Sequence, residues 1–344
     1  MSAAEAAAAL AIFSHPDCLR HQPPAGHPES PERLRTVLTA LELMPHLARR
    51  DAPLPEPQWL QLAHRQDYLD LLQRHQQSVL ASSDPQRIEA LDEDTWLGRY
   101  SLPAALRCVG AACAAVDAVL DDQDPVCRAF CAVRPPGHHA ERQRAMGFCF
   151  YASTAIAALH AVAKHGLARV ALVDFDVHQA NGSADVLAGN EHIMLFDTHQ
   201  AELFPFMPPR ADAAANIVSE ALPQGCTGDY FRTIWRLQLL PRLRDYAPEL
   251  IIISAGFDAH QLDPLAQCAL QGDDFVWLTQ QLIDIARQSC GGRIVSSLEG
   301  GYHLDALAEC VSAHVQAMAG ESVAAAGFEL TGVPGTETAL IGRD

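Results

Sequence analysis

Residues 170–178 read VALVDFDVH, an apolar run that ends in two carboxylates and an imidazole. The first four residues are typical of a buried β-strand. Asp174, Asp176 and His178 then recur at every second position, so they share one face of that strand. Because an unpaired buried carboxylate is costly, the stretch predicts a strand whose C-terminal end carries a charged site.

Other apolar runs flank this strand along the chain, and helical patterns separate them. They lie at 126–133, 192–197, 250–255 and 293–298, with a weaker run at 10–13. Apolar strands that alternate with helices indicate a mostly parallel central sheet covered by helices on both faces. We therefore predict an α/β fold in a single domain over residues 1–344, with the core at about 10–320 and a weakly structured tail at 321–344.

Capping residues locate several of the intervening helices. Ser30 is expected to precede one helix, Pro103 to take the first position of another, and Asp273 to cap a third. The last helix is expected at about 304–318, before Gly320.

Each of the five main runs is followed by side chains that can carry chemistry. The segments after them contain His138 and His139; Asp174, Asp176 and His178; Asp197 and Phe204; Asp258 and Asp263; and Glu299 and Tyr302. Since the C-terminal ends of parallel strands lie on one edge of the sheet, where ligands bind, we expect these groups to meet.

Three of these side chains match the ligand set of a catalytic zinc ion. Asp176, His178 and Asp263 offer two oxygens and one nitrogen, and three protein ligands leave room for water and substrate. Asp174 would then orient a histidine from behind, with a structural salt bridge as the alternative.

The motifs as a set resemble the zinc-dependent histone deacetylase superfamily, which includes bacterial histone deacetylase-like amidohydrolases and acetylpolyamine amidohydrolases. The matching segments are HPESPERL (27–34), RPPGHHA (134–140), GFCFYAS (147–153), VDFDVHQANGS (173–183), SAGFDAHQLDP (254–264) and LEGGYHLDAL (298–307). The resemblance implies an arginase–deacetylase fold with one zinc ion per chain, held by Asp176, His178 and Asp263.

The resemblance also implies a role for each remaining site residue. His138 and His139 would be the tandem active-site histidines, with Asp174 behind the first and Asn181 behind the second, and Tyr302 would be the catalytic tyrosine. The acyl-lysine tunnel would be lined by Gly147, Phe148, Phe204 and Leu270. A potassium ion is implied as well, with main-chain oxygens of Asp174, Asp176 and His178, together with Asp197, as candidate ligands.

Amide hydrolysis explains why these residue types are needed. Two carboxylate ligands weaken zinc as a Lewis acid, so the hydroxyl of Tyr302 is useful as a second group that polarises the substrate carbonyl. His139 is our choice of general base, and His138 is expected to act mainly electrostatically. The sequence leaves open whether the two histidines exchange or share these roles.

The composition of the chain favours some classes of binding partner and disfavours others. A formal net charge of −18 disfavours direct binding of nucleic acid. We expect no membrane span and no signal peptide, and ten cysteines without a CxxC pair suggest free thiols in a cytoplasmic protein. The expected partners are an acyl-lysine peptide or protein, or a small acylated amine, and a homo-oligomer is allowed for.

Three alternatives to a lysine deacetylase are kept open. An acetylpolyamine deacetylase would share the site, but such enzymes more often place a glutamate where Leu270 stands. An arginase-like binuclear hydrolase would want an aspartate where Ala180 stands. A catalytically dead acyl-lysine binding module would be favoured by loss of a ligand or of Tyr302, and none of them is lost.

Overall fold

The fold is taken from a computed structural model that describes residues 10–207 and 214–321. Apart from Glu321, the tail predicted to be weakly structured lies outside the described residues.

Ten strands lie within the described residues: β1 (Leu10–Ser14), β2 (Ala48–Asp51), β3 (Ile88–Ala90), β4 (Trp96–Gly98), β5 (Arg128–Cys131), β6 (Val170–Asp174), β7 (Ile193–Gln200), β8 (Ile217–Leu222), β9 (Leu250–Ala255) and β10 (Ile294–Leu298). Eight of them form one sheet in the order β2-β1-β5-β10-β9-β6-β7-β8. All pairings in this sheet are parallel. The remaining two strands, β3 and β4, form a small antiparallel pair.

Helices connect the strands: α1 (Pro31–Glu42), α2 (Pro57–Ala63), α3 (Gln66–Ala81), α4 (Ser101–Leu120), α5 (Ser153–His165), α6 (Asn181–Leu187), α7 (Gly228–Ile234), α8 (Leu240–Tyr246), α9 (Gly272–Ser289) and α10 (Leu304–Ala319). A π-helical turn at Trp235–Leu239 joins α7 to α8. The predicted α/β class with a parallel central sheet is confirmed.

The starts of two helices differ from the prediction. The first turn of α9 is capped by Gln271, whose backbone N–H donates to the Asp274 carboxylate, so Asp273 is not the cap. The helix α4 begins at Ser101, which puts Pro103 at its third position rather than its first. By contrast, Ser30 precedes α1 and Gly320 follows α10 as predicted.

One helix of the described chain, α4, is long and apolar enough to cross a membrane by length and composition, which the sequence reasoning did not anticipate. It is nevertheless 72% buried within the fold, where it packs against α5 and β5. Burial of this kind is that of a core helix, and apolarity on all sides is what such a helix requires.

The sheet order explains where the predicted site forms. Strands β5, β10, β9 and β6 are consecutive neighbours, and every residue of each is buried. Their C-terminal ends therefore deliver the segments that follow residues 131, 174, 255 and 298 to one stretch of the sheet edge.

Candidate active site

A buried group of two carboxylates and one imidazole lies beyond the ends of β6 and β9. The Nδ1 atom of His178 is 3.0 Å from Oδ1 of Asp176 and 3.1 Å from Oδ2 of Asp258. The potential ligand atoms of these three residues all lie within 4.8 Å of one another. Oxygen and nitrogen donors at such spacing form a plausible site for a divalent cation.

The charges in this group suit a cation. Burial raises the pKa of Asp258, and the neighbouring Asp176 carboxylate adds to the effect. Burial alone would lower the pKa of His178, but the two carboxylates raise it to about 10. The two buried carboxylates therefore favour a positive charge between them, which a proton on His178 or a metal ion in place of that proton can supply, so the residues present fit a bound metal ion.

Two glycines allow the carboxylates to approach the backbone. A methyl group on Gly256 would lie 2.1 Å from Oδ2 of Asp176, and one on Gly300 would lie 2.0 Å from Oδ2 of Asp258. The Gly300 N–H also donates to Oδ2 of Asp176 at 2.8 Å. A side chain at either position would displace the carboxylates, which explains the glycines that follow β9 and β10.

Asp263, the third zinc ligand in the sequence prediction, is not part of the group of three. Its Oδ2 atom accepts the backbone N–H of Tyr302 at 2.7 Å, and its Oδ1 atom accepts that of Leu265. Asp258 stands in the group instead, and its Oδ1 atom accepts the N–H of Val177 at 2.9 Å. Sequence reasoning gave Asp258 no role, although its place directly after β9 was a signal.

The tandem histidines lie beside this group, each with its own polar partner. The Nδ1 atom of His138 is 3.2 Å from Oδ2 of Asp174, and that of His139 is 2.6 Å from Oδ1 of Asn181. The two imidazole rings are 4.0 Å apart, and Nε2 of His138 is 3.6 Å from Oδ1 of Asp176. The structure therefore brings both histidines to the candidate metal group.

The surroundings of the two histidines shift their pKa values in opposite directions. Burial opposes protonation of His138, but Asp176 and Asp174 raise its pKa well above the usual value. Burial lowers the pKa of His139 well below the usual value, and the positive charges of His138 and His178 lower it further.

Glu299, to which sequence reasoning gave no role, supports the histidine segment from β10. Its Oε2 atom accepts the backbone N–H of Gly137 at 2.6 Å and that of His138 at 3.2 Å. Burial raises its pKa to about 7. The side chain thus ties the ends of β5 and β10 together beneath the site.

Three of the four predicted tunnel residues surround the histidines and Tyr302. The ring of Phe204 packs edge-on to His139 at 5.0 Å, and that of Phe148 packs edge-on to Tyr302 at 5.9 Å. A methyl group on Gly147 would lie 2.4 Å from His139 and 2.8 Å from Phe204, so only glycine fits there.

Leu270 and the backbone of Phe148, both predicted to line the tunnel, are fixed by contacts with neighbouring segments. Leu270 is fully buried, and its backbone pairs with Ala259 and Gln261. Phe148 adopts a left-handed φ of 69°, which is rare for a bulky residue, while its N–H donates to the Thr95 hydroxyl at 3.0 Å. Strained residues of this kind often cluster at functional sites.

Tyr302 is held by its backbone and by a guanidinium. Its N–H binds Asp263, and the guanidinium carbon of Arg33 lies 4.7 Å from the centre of its ring. Arg33 also donates to the carbonyls of Gly301 at 2.6 Å and Glu299 at 2.5 Å. The segment that carries the tyrosine is therefore fixed from α1.

A buried ion-pair network anchors Arg33 in turn. Glu29 accepts from Arg33 at 3.3 Å and from Arg134 at 2.6 and 2.5 Å, and all three side chains are almost completely buried. Burial opposes ionisation of Glu29, but Arg134 and His21 hold its pKa well below the usual value. These residues explain the HPESPERL and RPPGHHA segments as parts of one support.

Asp197, a candidate potassium ligand in the sequence prediction, lies opposite Asp174 in the register of β6 and β7. Its Oδ2 atom accepts from His199 at 2.8 Å and from the Ser219 hydroxyl at 2.5 Å. Its Oδ1 atom accepts the N–H of Ala180 at 3.3 Å.

Comparison with known proteins gives matches over most of the chain. The profile of the histone deacetylase domain matches residues 27–318. The chain is 35% identical over 314 residues to a histone deacetylase-like amidohydrolase of Pseudomonas aeruginosa, which covers 87% of this chain and 79% of that protein. It is 34% identical over 308 residues to polyamine deacetylase HDAC10 of Homo sapiens, and this alignment covers 85% of this chain and 45% of that protein.

The fold is shared with a solved structure. The crystal structure of the HDA15 HD domain matches with a TM-score of 0.82 and 28% identity, over 92% of this chain and 90% of that one. The predicted arginase–deacetylase fold is therefore confirmed. The aligned part of the chain covers 20% of the type-2 histone deacetylase 2 of Dictyostelium discoideum and 97% of the protein slr0245 of Synechocystis.

Proposed function

This chain belongs to the histone deacetylase family, and we propose that it is a zinc-dependent amidohydrolase that removes acetyl or related short acyl groups from lysine side chains. The observation that carries the proposal is the meeting of the buried carboxylate–imidazole group with the tandem histidines at neighbouring strand ends, with the backbone of Tyr302 bound to Asp263 nearby. A single metal ion in the active site, acyl-lysine peptides or proteins as substrates and a cytoplasmic location are parts of the same proposal.

For the metal, we propose Asp176, His178 and Asp263 as the ligands. Asp263 and His178 are each 7% exposed, so water and substrate can reach them more readily than Asp258, which is completely buried. A zinc ion held there would supply a Lewis acid that polarises the amide carbonyl and lowers the pKa of a water molecule. Asp258 then holds the Val177 amide, which lies between two of the ligands.

The histidines would move the protons. If the Asn181 oxygen accepts from Nδ1–H of His139, the Nε2 atom keeps a free lone pair that can take a proton from the attacking water. The same imidazole can then deliver that proton to the leaving amine. His138, oriented by its contact with Asp174, would act mainly electrostatically beside the reacting centre.

The tyrosine and the aromatic rings would complete the site. The hydroxyl of Tyr302 would donate to the substrate oxygen as negative charge develops on it. Phe148 and Phe204 would grip the methylene chain of the substrate and exclude water from it. A potassium ion near Asp174 and Asp197 stays a prediction.

A second candidate function, deacetylation of acetylpolyamines, is favoured by the relative named polyamine deacetylase HDAC10. Leu270 argues for lysine substrates, because a buried apolar side chain offers no charge to a second ammonium group. The test is kcat/KM for an acetyl-lysine peptide and for N-acetylputrescine, with chelator-treated protein as the control. We expect the peptide to be preferred by at least about tenfold, and the opposite preference would favour the polyamine function.

A further inference from the structure

A second cluster of metal-binding side chains lies on α4 and α5, outside the candidate active site. Oδ1 of Asp117, on α4, is 2.7 Å from Nε2 of His160 and 2.7 Å from Nε2 of His165, both on α5. The potential ligand atoms of the three residues all lie within 4.8 Å of one another. None of these residues belongs to the motifs that build the deacetylase site.

The spacing of the cluster suits a small divalent cation. Ligand atoms about 2.1 Å from a tetrahedral zinc ion are about 3.4 Å from each other, which lies between the 2.7 Å contacts and the 4.8 Å limit. An outward shift of a few tenths of an ångström would make room for the ion. Two imidazoles and one carboxylate are ligands that zinc, copper and nickel accept.

His160 is buried and has one ring nitrogen without a hydrogen-bond partner among the described residues. Its side chain is 1% exposed, and its Nδ1 atom is buried without a hydrogen-bond partner among the described residues. When Nε2–H donates to Asp117, a neutral ring leaves a bare lone pair at Nδ1, and an unsatisfied buried acceptor is costly. A metal ion on Nε2 would place the proton of the neutral ring on Nδ1, and the Trp59 ring packs edge-on against His160 with centroids 4.4 Å apart.

The other two ligands leave an entry path. The side chain of Asp117 is 36% exposed and that of His165 is 24% exposed, so a hydrated ion can reach the cluster. Lys164 donates to the second carboxylate oxygen of Asp117 at 2.8 Å. A hydrogen bond to the second oxygen is what a ligating carboxylate normally has, although this donor also brings a competing positive charge.

We propose that Asp117, His160 and His165 form a second divalent-metal site that links α4 to α5. It would bind zinc or another transition metal that accepts imidazole and carboxylate ligands. Water would complete the coordination on the exposed side. Because α5 leads directly into β6, a metal ion bound between α4 and α5 would stabilise the helix pair that supports the strand of the active site.

The test is the number of zinc ions bound per chain after equilibrium dialysis, compared between wild type and Asp117→Asn. We expect the variant to bind one zinc ion fewer than wild type. This difference is the same whether or not the deacetylase site holds metal, so the inference and the proposed function can fail separately. Equal zinc content in the two proteins, with the variant folded by circular dichroism, would overturn the inference.

Fluorescence gives a second measurement on the full chain. Copper titrated into wild type should quench the emission of Trp59, and Trp59→Phe should lack that part of the quenching. His165→Asn should weaken copper binding at least about tenfold, as loss of a ligand does. Lys164→Gln should bind about two- to fivefold tighter, because the competing charge is removed. Quenching that none of these substitutions alters would show that the cluster is only a hydrogen-bonded one.

Discussion

At the scale of single residues, Asp258 and Asp263 follow the same strand but have different partners. Asp258 contacts His178 and the Val177 amide, whereas Asp263 binds the backbone of Tyr302. We expect Asp263→Asn to lose the zinc ion of the active site, and Asp258→Asn to keep that ion with affinity reduced about 10- to 100-fold. Metal analysis of both variants at matched free zinc is the check, and the reverse order would make Asp258 the third ligand.

Substitution of Tyr302 is expected to affect the chemical step and to leave substrate binding intact. Tyr302→Phe should lower kcat about 10²- to 10³-fold and leave KM nearly unchanged, because the hydroxyl is needed for the developing oxyanion. Steady-state kinetics on an acetyl-lysine peptide measure this effect. Tyr230→Phe, at a tyrosine that is 45% exposed, is the matched control and should behave like wild type. Unchanged turnover in Tyr302→Phe would refute the assigned mechanism.

Glu29 shows how distant sequence segments combine at the scale of elements. It joins the loop before α1 to Arg134 after β5, and through Arg33 to the carbonyls of residues 299 and 301. Removing the charge of Glu29 would leave two buried guanidinium groups without their carboxylate partner.

We expect Glu29→Gln to lower the free energy of unfolding by about 3–5 kcal/mol. Glu32→Gln is the control, because Glu32 pairs with Arg35 at 2.6 Å on the exposed side of α1 and should change stability by less than about 1 kcal/mol. Urea unfolding of both variants provides the measurement. Similar small losses in the two variants would mean that the buried network does not support the fold as described.

The packing of α10 makes stability depend on pH. His314 is completely buried between the hydroxyls of Thr279, at 2.7 Å, and Ser296, at 2.9 Å, and burial lowers its pKa to about 3. Below about pH 6.5 the unfolded chain takes up a proton at this residue and the folded chain does not. The stabilisation that neutral His314 gives to the folded state is therefore complete above pH 6.5 and is lost as the pH falls toward 3.

His314→Gln should remove this part of the pH dependence. Between pH 6 and pH 4 we expect the free energy of unfolding of the variant to fall less steeply than that of wild type. The two slopes should differ by at most about 1.4 kcal/mol per pH unit. Urea unfolding at several pH values tests this, and parallel curves for the two proteins would contradict it.

The strands show which elements a single sequence can predict. The run predicted at 250–255 coincides with β9, because all six residues are buried and apolar or small. Strands β2 and β8 were not predicted, because they lie at the edges of the sheet and carry exposed polar residues such as those of ARRD (48–51). An edge strand lacks the continuous apolar signal that a central strand needs.

The site was predictable to the extent that its residues directly follow strands. His138, His139, Asp176 and His178 come to one place because neighbouring parallel strands share an edge. The place of Asp258 in the buried group and the reach of Arg33 to Gly301 depend on distances across the fold, which sequence spacing does not contain.

At the scale of the whole molecule, one sheet edge gathers segments from most of the chain. Residues 27–34 and 298–307 lie at opposite ends of the matched region, and Arg33 connects them at Gly301. The catalytic groups therefore depend on the complete domain. A fragment that lacks either end should bind no zinc at the active site and should show no turnover.

The central claim is that a single metal-assisted site in this domain hydrolyses acyl-lysine. It is tested most directly by turnover of an acetyl-lysine peptide by purified protein that has been stripped with a chelator and then given zinc. We predict no activity in the stripped protein and recovery when one active-site zinc ion per chain is restored, in wild type but not in Tyr302→Phe. Full activity after the metal has been removed, or none on any short acyl-lysine substrate with zinc bound, would contradict the claim.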